Sequence, residues 1–533
     1  MILQWVTHSL RPLRLLELAA IINATPNRGG LQQDQDAKIA VRSACGPLLE
    51  ICEDEVVQII HHSFTEYLLN SDVSHIQMAT NDSLRFPIIK PHEAHKNITL
   101  ACLSYLKSGC FDDWDAGKKS RDDDECKAMR EKTLRFQFLQ YAARYWPLHA
   151  AKVADLDLKL FSEFDAFLRF DNHDFESWKD FWNGMSTKVP ELLSPLHVAA
   201  YSGLASYTEH LLAGGADPSI RDSRQTTPLI YSAMEGHSST ATVLLEYGAY
   251  YGCVDSSGLN AVHYSSKMNH AAVLSVLLAA RAEPLIPKAD QDLNTTHYSL
   301  HSVRNNQVEV PPETALFYVC ENGHVEALVE LMKYVDSTTL SHGPLHWAAA
   351  MGRAKILNVL LKNDQVRSHI NDKDGNGNTA LYLASNARDP TAVRVLLEQG
   401  ADVNARSEHL SVDRRFPITE PRVSVPKLGY TPLHGWARLG GPHYSQRAED
   451  GMEDVKEVLE LLLKFGCDIN AQDERGKTVL FAVRIPTFLT FLSTLKCNLP
   501  WFRACIPPAL KTSICFNCFL IVSKFEDADS LTI

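Results

Sequence analysis

The sequence predicts a mainly α-helical fold: an α-solenoid of helical repeats, preceded by a winged-helix-like region and a helical linker. Three observations carry this. A short motif recurs at fixed spacing in the second half of the chain. Paired leucines and a glycine follow most copies at matching distances. The stretch 1–190 shows helical apolar patterns and one short β-branched run, but no copy of the motif. The 533 residues are 45% hydrophobic and 22% charged, an ordinary balance for a folded chain. A net charge of -12 argues against nucleic-acid binding through a general positive field. No apolar stretch approaches the roughly 18–20 residues that span a bilayer; Ile514 to Val522 is too short and carries Asn517. Met1 to Leu10 lacks the basic start of a signal peptide. Scattered cysteines then imply reduced thiols and a cytoplasmic location, the nucleus also being open.

From the N-terminus, Leu10 to Ala19 reads as a helix with Pro12 near its start and an apolar face at Leu13, Leu16 and Ala20. Asp36 to Leu49 reads as a second helix. Val56 to Ile60 is β-branched and short, so it reads as a strand, and His61 to Leu69 turns helical again. Helix, helix, strand, helix fits a winged helix over 1–110. The linker over 111–190 carries Phe175, Trp178, Phe181 and Trp182 at helical spacing, as a buried aromatic face would.

Arg11-Pro12-Leu13-Arg14-Leu15-Leu16-Glu17-Leu18, His61-His62-Ser63-Phe64-Thr65-Glu66-Tyr67-Leu68 and Ala101-Cys102-Leu103-Ser104-Tyr105-Leu106 resemble the winged-helix segment that follows the nucleotidase in fungal NACHT–ankyrin proteins, a segment related to one named after GPI inositol-deacylase. Phe138 to His149 resembles the helical linker of the same proteins. The nucleotidase itself is missing. The nearest string to a phosphate loop, Asp112 to Ser120, has Asp112 where glycine is required and Lys119 where Ser or Thr is required; Asp113 and Asp115 would also repel phosphate. The resemblance implies the regulatory half of such a protein, standing alone or truncated at its start.

The repeat begins at Ser194-Pro195-Leu196-His197-Val198-Ala199-Ala200. It recurs at Thr227-Pro228-Leu229 and Asn260-Ala261-Val262-His263, so the second motif position falls at 195, 228 and 261, steps of 33. Further copies start at Thr314, Gly343-Pro344-Leu345-His346, Thr379, Thr431-Pro432-Leu433-His434 and, more weakly, Thr478. Ser or Thr caps a helix, and proline in its first turn has no amide to leave unpaired. The motif histidines His197, His346 and His434 can tie neighbouring turns together. Gly236-His237 and Gly323-His324 fall between the two helices of a unit. Leu211-Leu212, Leu244-Leu245, Leu277-Leu278, Leu360-Leu361, Leu396-Leu397 and Leu462-Leu463 close the second helix, and Gly215, Gly400 and Gly466 supply left-handed caps. These residues resemble the ankyrin family, a β-turn and two antiparallel helices per unit, over residues 191–495 with about eight repeats. The spacing stretches near 284–312 and near 407–428; the second insertion is rich in Pro and Arg.

Ankyrin arrays imply a non-enzymatic protein that binds protein partners along a concave face and at the β-turn tips. The candidate tip residues are Arg224, Gln225, Ser256, Ser257, Asn376, Glu474 and Arg475. The expected partner is a protein, a separate NACHT-type nucleotidase among the possibilities, with no nucleic acid, membrane, metal or cofactor. DNA reading by the helix 36–49 would rest on Lys38 and Arg42 alone. His92-Glu93-Ala94-His95 lacks the i,i+4 spacing of a zinc helix, and His62 and Glu66 lack a third ligand. The tail over 496–533 holds Cys497, Cys505, Cys515 and Cys518 but one tight pair only; an altered reading frame near 495 accounts for it better than zinc does.

Overall fold

The computed structural model describes residues 2–23, 39, 49–59, 90–112, 131–153, 157–169, 172–184, 194–281, 315–335, 340, 343–374, 377–407, 429–437, 451–476 and 478–479. The His61–Leu69 helix, Lys38 and Arg42, His62 and Glu66, the phosphate-loop-like string beyond Asp112, Asn376, both insertions and the cysteine-rich tail lie outside them. The chain forms two compact units, residues 1–288 and 289–533.

The first unit opens with helix α1 (Ile2–His8), strand β1 (Leu13–Arg14) and helix α2 (Leu15–Asn23). Strands β2 (Leu49–Ile51) and β3 (Val56–Ile59) follow. They form an antiparallel sheet in the order β1-β3-β2, with Leu13 opposite Val57 and Glu50 opposite Gln58. Glu55 turns the β2–β3 hairpin at φ 63°. The strand at Val56 agrees with the sequence reading, but two expectations need correction. The helix expected from Leu10 begins at Leu15, because Leu13 and Arg14 pair with β3. Glu17, in the third helical position, then accepts the Arg14 amide at 2.8 Å, a stabilised helix start. The buried side of α2 is accordingly Leu15, Leu18 and Ala19, while Leu16 and Ala20 are only half-buried. The helix expected to run to Leu49 does not include that residue, since Leu49 opens β2 opposite Ile59. Neither α1 nor β2 was legible in the sequence.

Helix α3 (Pro91–Leu106) packs along helix α4 (Leu139–Ala150). Ala94, Ile98, Cys102, Leu103 and Leu106 are buried on one side of α3. Pro147 lies inside α4 and has no amide to give the carbonyl four residues back. That carbonyl, Ala143 O, accepts the Trp178 indole N–H at 3.0 Å instead. Trp178 belongs to helix α6 (His173–Gly184), which with helix α5 (Leu158–Phe167) completes the linker. Phe175, Trp178, Phe181 and Trp182 are buried as their spacing predicts. Trp146, Phe167, Phe175 and Trp178 pack ring against ring with centroids 5.9–6.4 Å apart. The same aromatic layer covers the open face of the first repeat: Phe164 meets Tyr207 at 5.0 Å, and Phe161 stacks on His210 at 4.9 Å. A helical stack must cover its terminal apolar face, and here the linker does so at the first repeat.

Three helix pairs follow in the first unit: Pro195–Ser202 with Ala205–Ala213, Pro228–Glu235 with Ser238–Glu246, and Ala261–Lys267 with Ala271–Arg281. Among the described residues the second unit holds four: Ala315–Asn322 with Val325–Met332, Pro344–Ala350 with Ala354–Leu360, Ala380–Ala387 with Pro390–Glu398, and Pro432–Ala437 with Gly451–Lys464. The caps form as expected. Ser194, Thr227 and Thr379 each accept an amide three residues on, and Asn260 forms a reciprocal box with His263. The paired leucines are less uniform than expected: Leu212, Leu244 and Leu462 are buried, while their neighbours Leu211, Leu245 and Leu463 are half-buried at the helix edge. Among the described residues no helix is long and apolar enough to cross a membrane.

Candidate protein-interaction surface

Four of the repeats leave their second helix through a left-handed glycine, Gly215, Gly248, Gly400 or Gly466, on the way to the turn before the next capping residue. An aspartate organises four of these turns. Asp222 is buried, and its carboxylate accepts the amides of Arg224 at 2.9 Å and Thr226 at 2.7 Å and the Tyr231 hydroxyl. Asp255 does the same for Ser257, Leu259 and the Tyr264 hydroxyl, at 2.8, 3.0 and 2.6 Å. Asp374 holds Asn378 N–H at 2.7 Å, and Asp473 holds Arg475 N–H at 2.9 Å. Each carboxylate stands five residues before the capping position, at Thr227, Asn260, Thr379 and Thr478. That offset repeats in the sequence, but only the hydrogen bonds disclose what the aspartates do. These hydrogen bonds to backbone amides fix the turn without help from the side chains at its apex. Burial and the carboxylate beside it hold the Tyr231 and Tyr264 hydroxyls protonated far above neutral pH.

The apices are therefore rigid yet exposed. Arg224, Gln225, Ser256, Ser257, Glu474 and Arg475 are all solvent-exposed. Gln225 holds a left-handed backbone at φ 61°. The Ser256 amide donates to Arg224 O at 2.8 Å, which brings Arg224, Gln225, Ser256 and Ser257 into one row in the first unit. Glu474 and Arg475 lie in the second unit and join a different row. There Arg406 donates to Gln472 O at 3.0 Å, and the Ser407 amide donates to Tyr430 O at 2.7 Å. The Ser407–Tyr430 bridge joins the residues on either side of the Pro- and Arg-rich insertion. Asn376 lies outside the described residues.

Two of the motif histidines, His197 and His346, tie neighbouring turns together as sequence reading expects. His197 Nδ1 is 2.8 Å from Ser194 Oγ, and its Nε2 reaches Thr226 O in the next turn at 3.2 Å. His346 Nε2 reaches Asp372 O at 2.9 Å. His434 sits 2.9 Å from its own capping Thr431 hydroxyl. A second inter-repeat series was not legible. His237 Nε2 contacts Tyr201 O and His270 Nε2 contacts Met234 O, both at 3.0 Å, and Arg353 Nε donates to Glu321 O at 2.9 Å. Each reaches back to the carbonyl end of the preceding repeat's first helix. Burial pushes His263 down to about 4 and lowers His197 and His237 below the usual imidazole value, so these rings are neutral structural ties. Among the described residues no group of three or more His, Cys, Asp or Glu could hold a metal ion. His92 is exposed while His95 is buried. Burial pushes the Cys110 and Cys467 thiols up to about 12, which removes them as nucleophiles.

Comparison with known proteins agrees with this geometry. Residues 196–288, 285–374 and 344–407 match the family described as ankyrin repeats (3 copies), and 428–474 match the single ankyrin repeat. Residues 1–79 match the winged helix domain described under GPI inositol-deacylase. The chain thus carries ankyrin repeats and an N-terminal winged helix domain of the GPI inositol-deacylase type, in a mainly helical fold. It is 29% identical over 157 residues to the nuclear factor NF-kappa-B p105 subunit of Gallus gallus, covering 29% of this chain and 15% of that protein. It is 28% identical over 176 residues to ankyrin repeat and SOCS box protein 3 of Homo sapiens, covering 30% and 32%. The chain thus spans a third or less of the length of these relatives. Among solved structures, the human ASB11 ankyrin repeat domain aligns at 20% identity and a TM-score of 0.30, over 56% of this chain and 97% of that one. Ankyrin repeats bind other proteins, which makes the turn tips the candidate surface.

Proposed function

We propose that this chain is a non-enzymatic scaffold or adaptor that binds a partner protein across its repeat tips. Residues 191–495 supply the binding part, and 1–110 and 111–190 form a winged-helix and linker base. The observation that carries this reading is the rigid, exposed row Arg224, Gln225, Ser256 and Ser257, held from beneath by Asp222 and Asp255. Glu474 and Arg475 form a second contact point, beside the base of the 407–428 insertion. Partner residues are bound with little ordering cost when a turn is already fixed. The setting we infer is cytoplasmic. The test is proximity labelling in cells with the full chain against a chain lacking 191–495. Loss of most enriched proteins on deletion is the expected result; an unchanged set overturns the proposal.

We infer one second reading from the resemblance of 1–190 to NACHT–ankyrin proteins, a regulatory fragment that docks a separate NACHT-type nucleotidase. On that reading a nucleotidase is recovered with the full chain and is retained when 191–495 is deleted. Its absence from both sets sinks that reading and leaves the first intact.

A further inference from the structure

Three histidines that the repeats do not use meet in the N-terminal core. His8 ends α1, His95 lies in α3 and His149 in α4, each less than a tenth exposed. His95 Nδ1 and His149 Nδ1 are 2.8 Å apart. His149 Nε2 is 2.8 Å from the Tyr141 hydroxyl, which accepts the Leu10 amide at 3.1 Å. His8 lies edge-to-face on His95, ring centroids 5.6 Å apart. Its Nδ1 is 2.6 Å from Thr7 Oγ1, and its buried Nε2 has no hydrogen-bond partner.

Placement of the protons shows what this arrangement tolerates. Tyr141 accepts from Leu10, so its own O–H can donate to His149 Nε2. His149 then carries its proton on Nδ1 and donates to His95 Nδ1. Both rings are neutral and each contact has one proton. A proton added at His95 reverses the series: His95 Nδ1–H donates to His149, whose Nε2–H now points at a Tyr141 oxygen that already accepts from Leu10. A second added proton sets two N–H groups against each other across the short His95–His149 contact, which a buried pair cannot hold. The chain therefore has room for one proton at most, and His8 offers a third imidazole beside it.

The Gln4 carbonyl favours a proton on His8, but the charged neighbours oppose one. Lys152, just past α4, repels a proton on all three rings, and each ring repels its neighbours. On α3, Cys102 faces Tyr141; on α4, Tyr145 does; after α1, the Arg11 guanidinium lies 5.2 Å over the Tyr141 ring and is paired with Glu17. Burial, the largest cause, holds His95 at about 4 and His149 at about 3, and lowers His8.

We propose that the His8–His95–His149 cluster is an acid-sensitive latch: neutral, it fastens α1 to the α3–α4 pair, and on protonation it releases α1, the first helix of the winged helix domain. The sign follows from linkage. Each folded-state value lies below the ordinary 6.5. The open form therefore takes up protons first as pH falls, and the fastening is complete above 6.5 and lost toward 4. A single ring held at about 4 makes opening about tenfold more favourable at pH 5.5 than at pH 7.5.

Hydrogen exchange of the full chain tests this, with rates corrected for the intrinsic pH dependence of exchange. Opening of residues 2–8 should rise about tenfold or more between pH 7.5 and 5.5. His95→Asn keeps an acceptor beside His149 but cannot take up a proton, and it should cut that rise at least threefold. Should that variant fail to fold, His8→Phe preserves the ring contact, removes the unpaired nitrogen and should also flatten the rise. A wild-type rise under twofold, or an equal rise in wild type and in the folded variant, overturns the latch.

Discussion

His197 and His346 in the repeats and His95 and His149 in the N-terminal core are all withdrawn from water, yet their hydrogen bonds span very different stretches of chain. His197 reaches its own capping residue three positions back and a carbonyl 29 residues on. His95 and His149 meet across 54 residues, and His8 joins them from the start of the chain. The first wiring recurs with the repeat and reinforces a local unit. The second has no period and exists only when three helices have assembled. A repeat spreads its stability over similar small contacts, whereas the N-terminal core concentrates it in a few long-range ones.

That contrast can be broken by mutation. The largest effect should come from Trp178→Ala, which empties the aromatic layer and leaves Ala143 O unpaired behind Pro147. A loss of about 4 kcal/mol is expected in urea unfolding followed in the first unit. Leu396→Ala, an equally buried residue of a repeat, should cost about 3 kcal/mol in the second unit. If Trp178→Ala costs under about 1 kcal/mol, the linker does not carry the core assigned to it.

Within the repeats, Gly236→Ala should cost about 2–3 kcal/mol in thermal unfolding. Its backbone is left-handed at φ 82°, and an added Cβ would stand 2.6 Å from His270 Nδ1. Gly248→Ala, at φ 87° with nothing within 4 Å, should cost about 1 kcal/mol from backbone strain alone. Equal costs would show that the His270 tie yields easily. Thr227→Ala removes one cap and should cost about 1 kcal/mol. The smallest effect is expected at the apices: Arg224→Ala should change stability by less than about 0.5 kcal/mol, because Asp222 fixes the turn without that side chain.

What the sequence discloses follows the same division. The regular step of the motif, the Ser and Thr caps and the closing glycines place the repeat helices, because each signal lies within one unit and recurs. The start of α2 departs from the sequence reading, since Leu13 and Arg14 carry helix-compatible side chains but are claimed by β3, a strand far along the chain. Helix α1 carries little local signal, because Trp5 packs on Phe138 and Tyr141 far along the chain. At the candidate surface, the exposed apices could be placed by counting from the caps. The aspartates beneath them, which make those apices rigid, needed the hydrogen bonds to be seen.

The central claim is that the tips bind a partner while contributing little to the fold. The direct measurement is the Kd of the most enriched labelled partner for the full chain, against a variant with Arg224, Gln225, Ser256, Ser257, Glu474 and Arg475 all changed to Ala. A Kd at least tenfold weaker with an unchanged unfolding midpoint is the result this account predicts. A Kd within twofold of wild type, at the same midpoint, would contradict it.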